Sequence, residues 1–340
     1  MKKNNLPTID VVIPVAPKDY EKLGLCIEHL VAHSQNPIRN IYVISANTTG
    51  LENLSVNIQV LWVNESQYPF TKQDIEAQLT NAEGVYLPIS WYYQQMLKFY
   101  IFRVIPEILP NVLVLDSDCV FVKEIQFITD DGKVFLASGC LVNSIKHKNL
   151  AGMVEFSKRL ITDWDMMDSN SGVAHHMLFQ KDILEEIFFL IEGTHQQPLW
   201  QAFVSQINAE ACFPSEYAIY YHFALQKYNN QVTTRYLKTC EISYDSHSNN
   251  RDSKALALKI ASEIRETSSE FEMVVCHDNI TLREMLQKAL YLPEFKKYVL
   301  SLEKFIIKKI YDGKGGVQIF ILNEKDEFVS LDELRDKGIS

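Results

Sequence analysis

Asp116-Ser117-Asp118 is the segment in which residue type and spacing point most directly to chemistry. It follows NVLVL (111–115), a run of Val and Leu, and precedes the apolar CVFV (119–122). A strand buried on both faces delivers two carboxylates, two residues apart, to its carboxyl-terminal edge, where open α/β sheets bind ligands. Hard oxygen donors at such an edge suit a divalent cation whose remaining positions are filled by phosphate and water. A cation there bridges an acidic protein to an anionic diphosphate and stabilises charge on a diphosphate leaving group. Without such a strand, an Asp-x-Asp is two solvated aspartates in a turn. Asp163-Trp164-Asp165 is of that second kind, because it lies in a polar stretch after a helical run.

Three further segments carry polar groups among apolar ones. WYYQQMLKFY (91–100) is an amphipathic helical run in which Lys98 is suited to neutralising a phosphate and Gln95 to hydrogen-bonding a donor molecule. The same run also fits a core helix with one solvated edge. Glu216, in SEY just ahead of a helical run, is the leading carboxylate for general-base work or for gripping a hydroxyl. It fits equally a helix-N-terminal acid opposing the dipole, with Ser215 as N-cap. In SGVAHHMLF (171–179), Gly172 permits close backbone approach, and His175 and His176 supply two imidazoles that are neutral near pH 7. At a helix start the two histidines diverge by about 100 degrees, so one of them, not both, faces a given pocket. Gly313-Lys314-Gly315-Gly316 lacks the GK[ST] ending of a phosphate loop and reads as a glycine turn before a strand.

The elements that must position these residues follow from periodicity. IDVVIPV (9–15), IRNIYVIS (38–45), VNIQVLWVN (56–64) and NVLVL (111–115) are buried strands, and 19–34 has helical spacing. Strand, helix, strand, strand opens an α/β pattern, and no GxGxxG follows any strand. Helices are expected over 91–108, 151–162, 181–192, 196–210, 216–228 and 254–269, with a short strand at 273–279. Residues 282–310 read as an amphipathic helical segment, and GVQIFILNEKDEFVSLDEL as a strand, a polar turn and a strand or short helix. The charge-rich stretch 245–254 marks a boundary between residues 1–245 and a small, mainly helical extension, 246–340. Residues 271–280 are placed to complete the first part's sheet and metal site.

Composition narrows the function classes. The chain has 340 residues, 33 Lys+Arg against 43 Asp+Glu, and a net charge of −10, which excludes whole-chain attraction to nucleic acid. Its 47% hydrophobic and 22% charged content is that of a globular protein. The six cysteines lie far apart with no C-x-x-C, so they read as small hydrophobes rather than zinc ligands. No uninterrupted apolar run is long enough to span a bilayer, and no signal-peptide pattern opens the chain. The expected place is the cytoplasm; Lys296, Lys297, Lys304, Lys308 and Lys309 give the tail a basic face that fits peripheral contact at the inner membrane or an oligomer contact, and equally a solvated helix surface.

The segments DVVIPVAPKD (10–19), WYYQQMLKF (91–99), VLVLDSDCVFVKEI (112–125), SGVAHHMLFQKDILEEI (171–187) and SEYAIYYHFAL (215–225) run in order over roughly 9–240. Together they resemble the GT-A nucleotide-sugar glycosyltransferases, and more narrowly a bacterial group of uncharacterised DxD-containing glycosyltransferases. The resemblance implies a Rossmann-like, mostly parallel mixed sheet flanked by helices. It implies transfer of a sugar from a nucleotide-sugar donor, a UDP-sugar first, to a hydroxyl of a glycan, lipid or protein, with Mn2+ or Mg2+. Residue by residue, it implies that Asp116 and Asp118 hold the metal, with Asp116 also near the ribose. Pro14, Val15 and Ala16 would line the nucleotide pocket, and Gly172, His175 and His176 would shape the donor and acceptor pocket. His277, after a late strand, would add a metal ligand, with Asp278 as its competitor. Two rivals accompany it. A nucleotidyltransferase calls for a Gly-rich basic loop after the first strand, where APKDYEKLG has one late glycine. An inactive scaffold of the same fold calls for loss of the metal carboxylates, and both are present.

Overall fold

Val, Ile and Leu dominate the first, second and fourth strand runs, and an amphipathic stretch separates the first two; in the computed structural model each takes the element its period dictates. The structure describes residues 6–48, 58–79, 89–139, 147–208, 213–244, 252–278, 306–311, 317–322 and 327–330. In chain order the elements are β1 (Ile9–Pro14), α1 (Tyr20–His33), β2 (Ile38–Ser45), β3 (Val60–Asn64), α2 (Lys72–Leu79), α3 (Ile89–Phe99), α4 (Ile101–Val104), β4 (Asn111–Leu115), β5 (Cys119–Phe121), β6 (Val134–Ala137) and α5 (His147–Leu160). They continue with β7 (His176–Gln180), α6 (Lys181–His195), α7 (Leu199–Ser205), α8 (Glu216–Lys227), β8 (Val232–Arg235), β9 (Thr239–Tyr244), α9 (Asp252–Thr267), β10 (Met273–Asp278), β11 (Ile306–Tyr311), β12 (Val317–Leu322) and β13 (Phe328–Ser330).

The chain divides into two compact units: Met1–Ser117 with Glu124–Tyr236, and Asp118–Lys123 with Leu237–Ser340. The first is an α/β unit on a sheet of order β3-β2-β1-β4-β7, in which β1 pairs in parallel with β2 and β4, β2 with β3, and only β7 runs antiparallel. All six residues of β1 are buried, as a parallel strand covered on both faces requires. The order reverses between β1 and β4: the chain steps outward to β2 and β3, then returns to the other side of β1. That reversal opens a crevice at the carboxyl ends of β1 and β4, the place where doubly wound sheets receive ligands. α1 buries Leu23, Cys26, Ile27 and Leu30, and an aromatic core of Phe99, Phe156, Phe179 and Phe203 fills the space beneath α3 and α7. Each such side chain contributes about 1.5–3 kcal/mol on burial.

Three departures from the sequence expectation bear on the site and on the second unit's sheet. The helix expected over 91–108 breaks into α3 and α4, and Ile105 turns extended (φ −93°, ψ 109°) ahead of Pro106, whose ring disfavours a helical predecessor. The segment containing His175 and His176 is not a helix start: His176 opens β7, whose pairing with β4 sets Leu115 opposite His176. Neighbouring side chains on a strand point to opposite faces, so the two histidines still diverge, by a different geometry.

The third departure is in the second unit. Its sheet has the order β13-β12-β11-β9-β10-β5, with β9 and β10 parallel and the other pairs antiparallel. α9 covers it, and Cys240, Ile242, Tyr244, Ala257, Ala261 and Val274 form its core. Ile306–Tyr311, the end of the expected 282–310 helix, is a strand, whereas 279–305 and the glycine turn at 313–316 lie outside the described residues. Among the described residues no helix is long and apolar enough to cross a membrane.

Candidate functional site

Asp116 stands one residue past β4, at the crevice. Its backbone N–H donates to the His175 carbonyl at 3.0 Å, which continues the β4–β7 ladder and fixes where the carboxylate begins. The Cys26 thiol of α1 approaches the Asp116 carbonyl from below at 3.8 Å. Two helices then converge on the side chain. Lys98, in the last turn of α3, places Nζ 2.8 Å from Asp116 Oδ1 and 2.8 Å from Glu216 Oε1, with the Tyr217 ring 4.3 Å away. His175 Nδ1 lies 3.5 Å from Asp116 Oδ2.

Glu216 is held in place by the cap of α8, where Ser215 Oγ accepts the Ala218 N–H at 3.3 Å. Its own N–H donates to Gln95 Oε1 at 3.0 Å, so one turn of α3 grips the start of α8 through both Gln95 and Lys98. The other end of the Gln95 amide, Nε2, is buried with no protein partner.

Exposure separates the members. Lys98 is 4% exposed and Glu216 5%, whereas Asp116 is 21% and His175 26% exposed. Burial alone would lower the lysine's pKa, but Asp116 and then Glu216 overcome it and hold Lys98 well above the usual range. For Asp116, burial raises the pKa, and the Lys98 charge followed by the His175 hydrogen bond brings it down to about 2. Two carboxylates thus share one ammonium, with the His175 ring beside the more exposed of them. That ratio makes this edge of the sheet acidic.

The remaining predicted residues fall as follows. Pro14 ends β1; Val15 is buried and donates its N–H to Ile44 O at 2.9 Å, and Ala16 is exposed at the carboxyl end of β1. Gly172 has φ +69°, and a Cβ there would lie 2.7 Å from Tyr221 Cβ and 3.1 Å from Ala218 Cα. Gly172→Ala is therefore expected to lower stability by about 1–3 kcal/mol through backbone strain alone. Any relief must come from a shift of α8, the helix carrying Glu216. Urea unfolding of the variant checks this, with an unchanged midpoint as the contrary result.

His176 is buried against Phe127, ring centroids 6.2 Å apart, and burial drives its pKa down to about 3. Asp118 belongs to the second unit, where its carbonyl accepts the Cys276 N–H at 3.3 Å. His277, on β10 of that unit, has Nε2 2.9 Å from Ser243 Oγ, and no cluster of three metal-ligating side chains among the described residues includes it. Asp163 and Asp165 are exposed on the loop after α5, where Asp165 pairs with Lys158 at 3.1 Å.

Two residues were not singled out from the sequence. Tyr217, buried beneath Lys98, has its hydroxyl pushed well above the ordinary range by burial. Lys22 is 8% exposed on the buried face of α1, one turn from Cys26, with Nζ 3.1 Å from Asp19 Oδ1. Its signal was present: a lysine in register with Cys26 and Leu30 on an apolar stripe.

No family model and no curated protein matches the sequence. Among solved structures, the chain is similar to mouse xyloside xylosyltransferase 1 in its apo form, at 10% identity and a TM-score of 0.40, over 79% of this chain and 97% of that one.

Proposed function

We propose that the chain is a metal-dependent glycosyltransferase of the GT-A type, which moves a sugar from a nucleotide-sugar donor, a UDP-sugar first, to a hydroxyl of a glycan, lipid or protein. The observation that carries this is the carboxylate excess around Asp116 at the β1/β4 crevice. A diphosphate brought to this acidic crevice needs a cation between it and the carboxylates. The donor set fits one: a partly exposed carboxylate with an imidazole beside it, a pairing that suits Mn2+ better than Mg2+. Asp116 would hold the ion, with Asp118 as the second carboxylate of the sequence motif. When bound, the metal would supply electrostatic stabilisation of the departing diphosphate.

The chain's own residues divide the remaining work. Lys98 and Glu216 are too buried to meet substrate, so Lys98 acts as the counter-ion that fixes the Asp116 carboxylate and Glu216 as the group that positions Lys98. His175, at the exposed side of Asp116, is suited to hydrogen-bonding a ligand oxygen. The loop after β1, Val15 and Ala16, forms the other wall of the crevice.

A thermal-shift panel of UDP, GDP, CMP and ATP, each with and without Mn2+, on the wild type and Asp118→Ala tests the proposal. UDP is expected to stabilise the wild type only with metal, by about 2.7 kcal/mol at a hundredfold excess over its dissociation constant. The variant is expected to lose that response. If no nucleotide shifts the wild type under any condition, the chain is a scaffold and not a transferase.

A further inference from the structure

Among the described residues, one helix, α9, packs on the second unit's six-stranded sheet. It lies over β9 and β10, where the small side chains of Ala257 and Ala261 join Ile242 and Val274 in the core. β11, β12 and β13 follow in order on one side of that line. Between the flank of α9 and these outer strands runs a groove of about 400 Å³. Register fixes its two walls. Leu256, Ile260 and Ile264, one turn apart, form a single aliphatic stripe about 12 Å long on α9. On the sheet, Lys308 stands opposite Phe320 and Leu322 opposite Phe328, so these four side chains share one face. Lys308 is also opposite Ile242 of β9, which belongs to the core under α9, so that face is the one the helix packs on.

The charges along the groove do not balance. Lys259 lies 3.8 Å from Glu263, one turn along, and these two cancel. The Lys308 ammonium sits 4.6 Å from the ring centroids of both Phe320 and Phe328, and no carboxylate among the described residues pairs with it. The two rings hold it half-buried at an apolar wall, which leaves one positive charge in surplus on a chain whose net charge is −10. Thr267 is the only neutral polar side chain in the lining, so a polyhydroxylated ring would lose its hydration here without recovering hydrogen bonds. A narrow aliphatic strip beside one fixed cation instead matches a molecule with an unbranched apolar body and a single anionic head.

We propose that this groove binds a fatty-acid-type amphiphile, with an unbranched acyl chain along Leu256, Ile260 and Ile264 and its carboxylate on Lys308. Binding here does not depend on the transferase assignment, since the groove shares no residue with the cluster at Asp116.

Isothermal titration calorimetry of the full chain tests the proposal with decanoate, kept below the concentration at which it forms micelles, beside acetate and decyltrimethylammonium. Decanoate is expected to bind saturably at one site, decyltrimethylammonium about tenfold more weakly, and acetate not at all. Lys308→Met keeps the stem between the two rings and removes the charge, and Ile260→Gln puts an amide on the aliphatic stripe. Each should weaken decanoate about tenfold. In methyl-labelled wild type the Ile260 and Ile264 signals should move as decanoate is added. The preference for the anionic chain and these signals are read on the wild type, so the test stays decisive if a variant folds poorly. Several results overturn the proposal: no saturable binding of decanoate, equal binding of the cationic chain, or affinity unchanged in either folded variant. Two more do the same when decanoate does not bind. Wild-type sedimentation with phosphatidylglycerol vesicles that Ile260→Gln abolishes would assign the groove to a membrane surface. A dimer that Ile260→Gln converts to monomer would assign it to a second copy of the chain.

Discussion

Replacing Lys98 with methionine is expected to cost about 3–5 kcal/mol of folding stability, the usual cost of removing one partner from a buried ion pair. Methionine keeps much of the apolar stem, so what is lost is the charge. Asp116 and Glu216 each lie 2.8 Å from the missing ammonium, and the buried Glu216 would be left facing a second carboxylate with no cation between them. The Tyr217 ring offers no compensation, because its face attracts cations and not carboxylates. Neutralising one acid should restore much of the loss. Lys98→Met combined with Glu216→Gln is expected to be more stable than Lys98→Met alone, a coupling read directly from a double-mutant cycle in urea. The pH dependence is fixed by the directions of the two shifts. The raised Lys98 contributes fully below 10.5 and is lost only as pH climbs through its higher folded value. The lowered Asp116 contributes above 3.8 and is lost as pH falls toward about 2. The Lys98→Met penalty should therefore be flat from about pH 5 to 9. A penalty below about 1 kcal/mol across that range would mean the cluster is solvated, and the argument for a cation receiver at Asp116 would fall with it.

What made Asp116 visible in the sequence was its neighbour strand. NVLVL has no polar interruption, so it could only be a strand covered on both faces, and the residue after it had to emerge at an edge. β1 and β2 were legible for the same reason, and α1 from its stripe of Leu23, Cys26, Ile27 and Leu30. The convergence on Asp116 was not legible. Lys98 is 18 residues from Asp116 and 118 from Glu216 along the chain, and nothing local to any of the three encodes their meeting. Each carried a sensible local meaning: a solvated edge of α3 for Lys98, an N-terminal acid for Glu216. Tertiary packing of α3 against α8 overrode the first. Glu216 does sit at the start of α8 behind a Ser215 cap, so that local meaning holds alongside its bond to Lys98. Short apolar runs were the other loss. HMLFQ and IIKKIY are too brief for periodicity to separate strand from helix, and only the partner strands β4 and β9 decide the matter.

Acidification from pH 6.5 to 4 is expected to remove about 3 kcal/mol of stability through His222 alone. This histidine lies on α8 with no solvent exposure, its ring 5.3 Å from Trp164 and 4.9 Å from Tyr221. Nδ1 accepts the Met167 N–H at 3.1 Å, which assigns the proton to Nε2, and Nε2 is buried without a protein partner. A second proton would break the Met167 bond and put a cation between two aromatic rings. Burial drives the pKa down, Asp168 opposes it, and the result is about 4. A histidine depressed in the folded state contributes stability above its unfolded value of 6.5, which is lost progressively as pH falls through about 4. Each tenfold weakening of proton affinity is worth about 1.4 kcal/mol, so the loss approaches about 3 kcal/mol. His176, pushed to about 3 by burial, adds to the fall at the acid end of the range. Urea midpoints at pH 7.5, 5.5 and 4.0 measure the loss, and His222→Asn, whose side-chain oxygen can accept the same Met167 N–H, should flatten it by His222's share. An equally steep acid loss in that variant would place the proton uptake elsewhere and leave His222 charged in the folded protein.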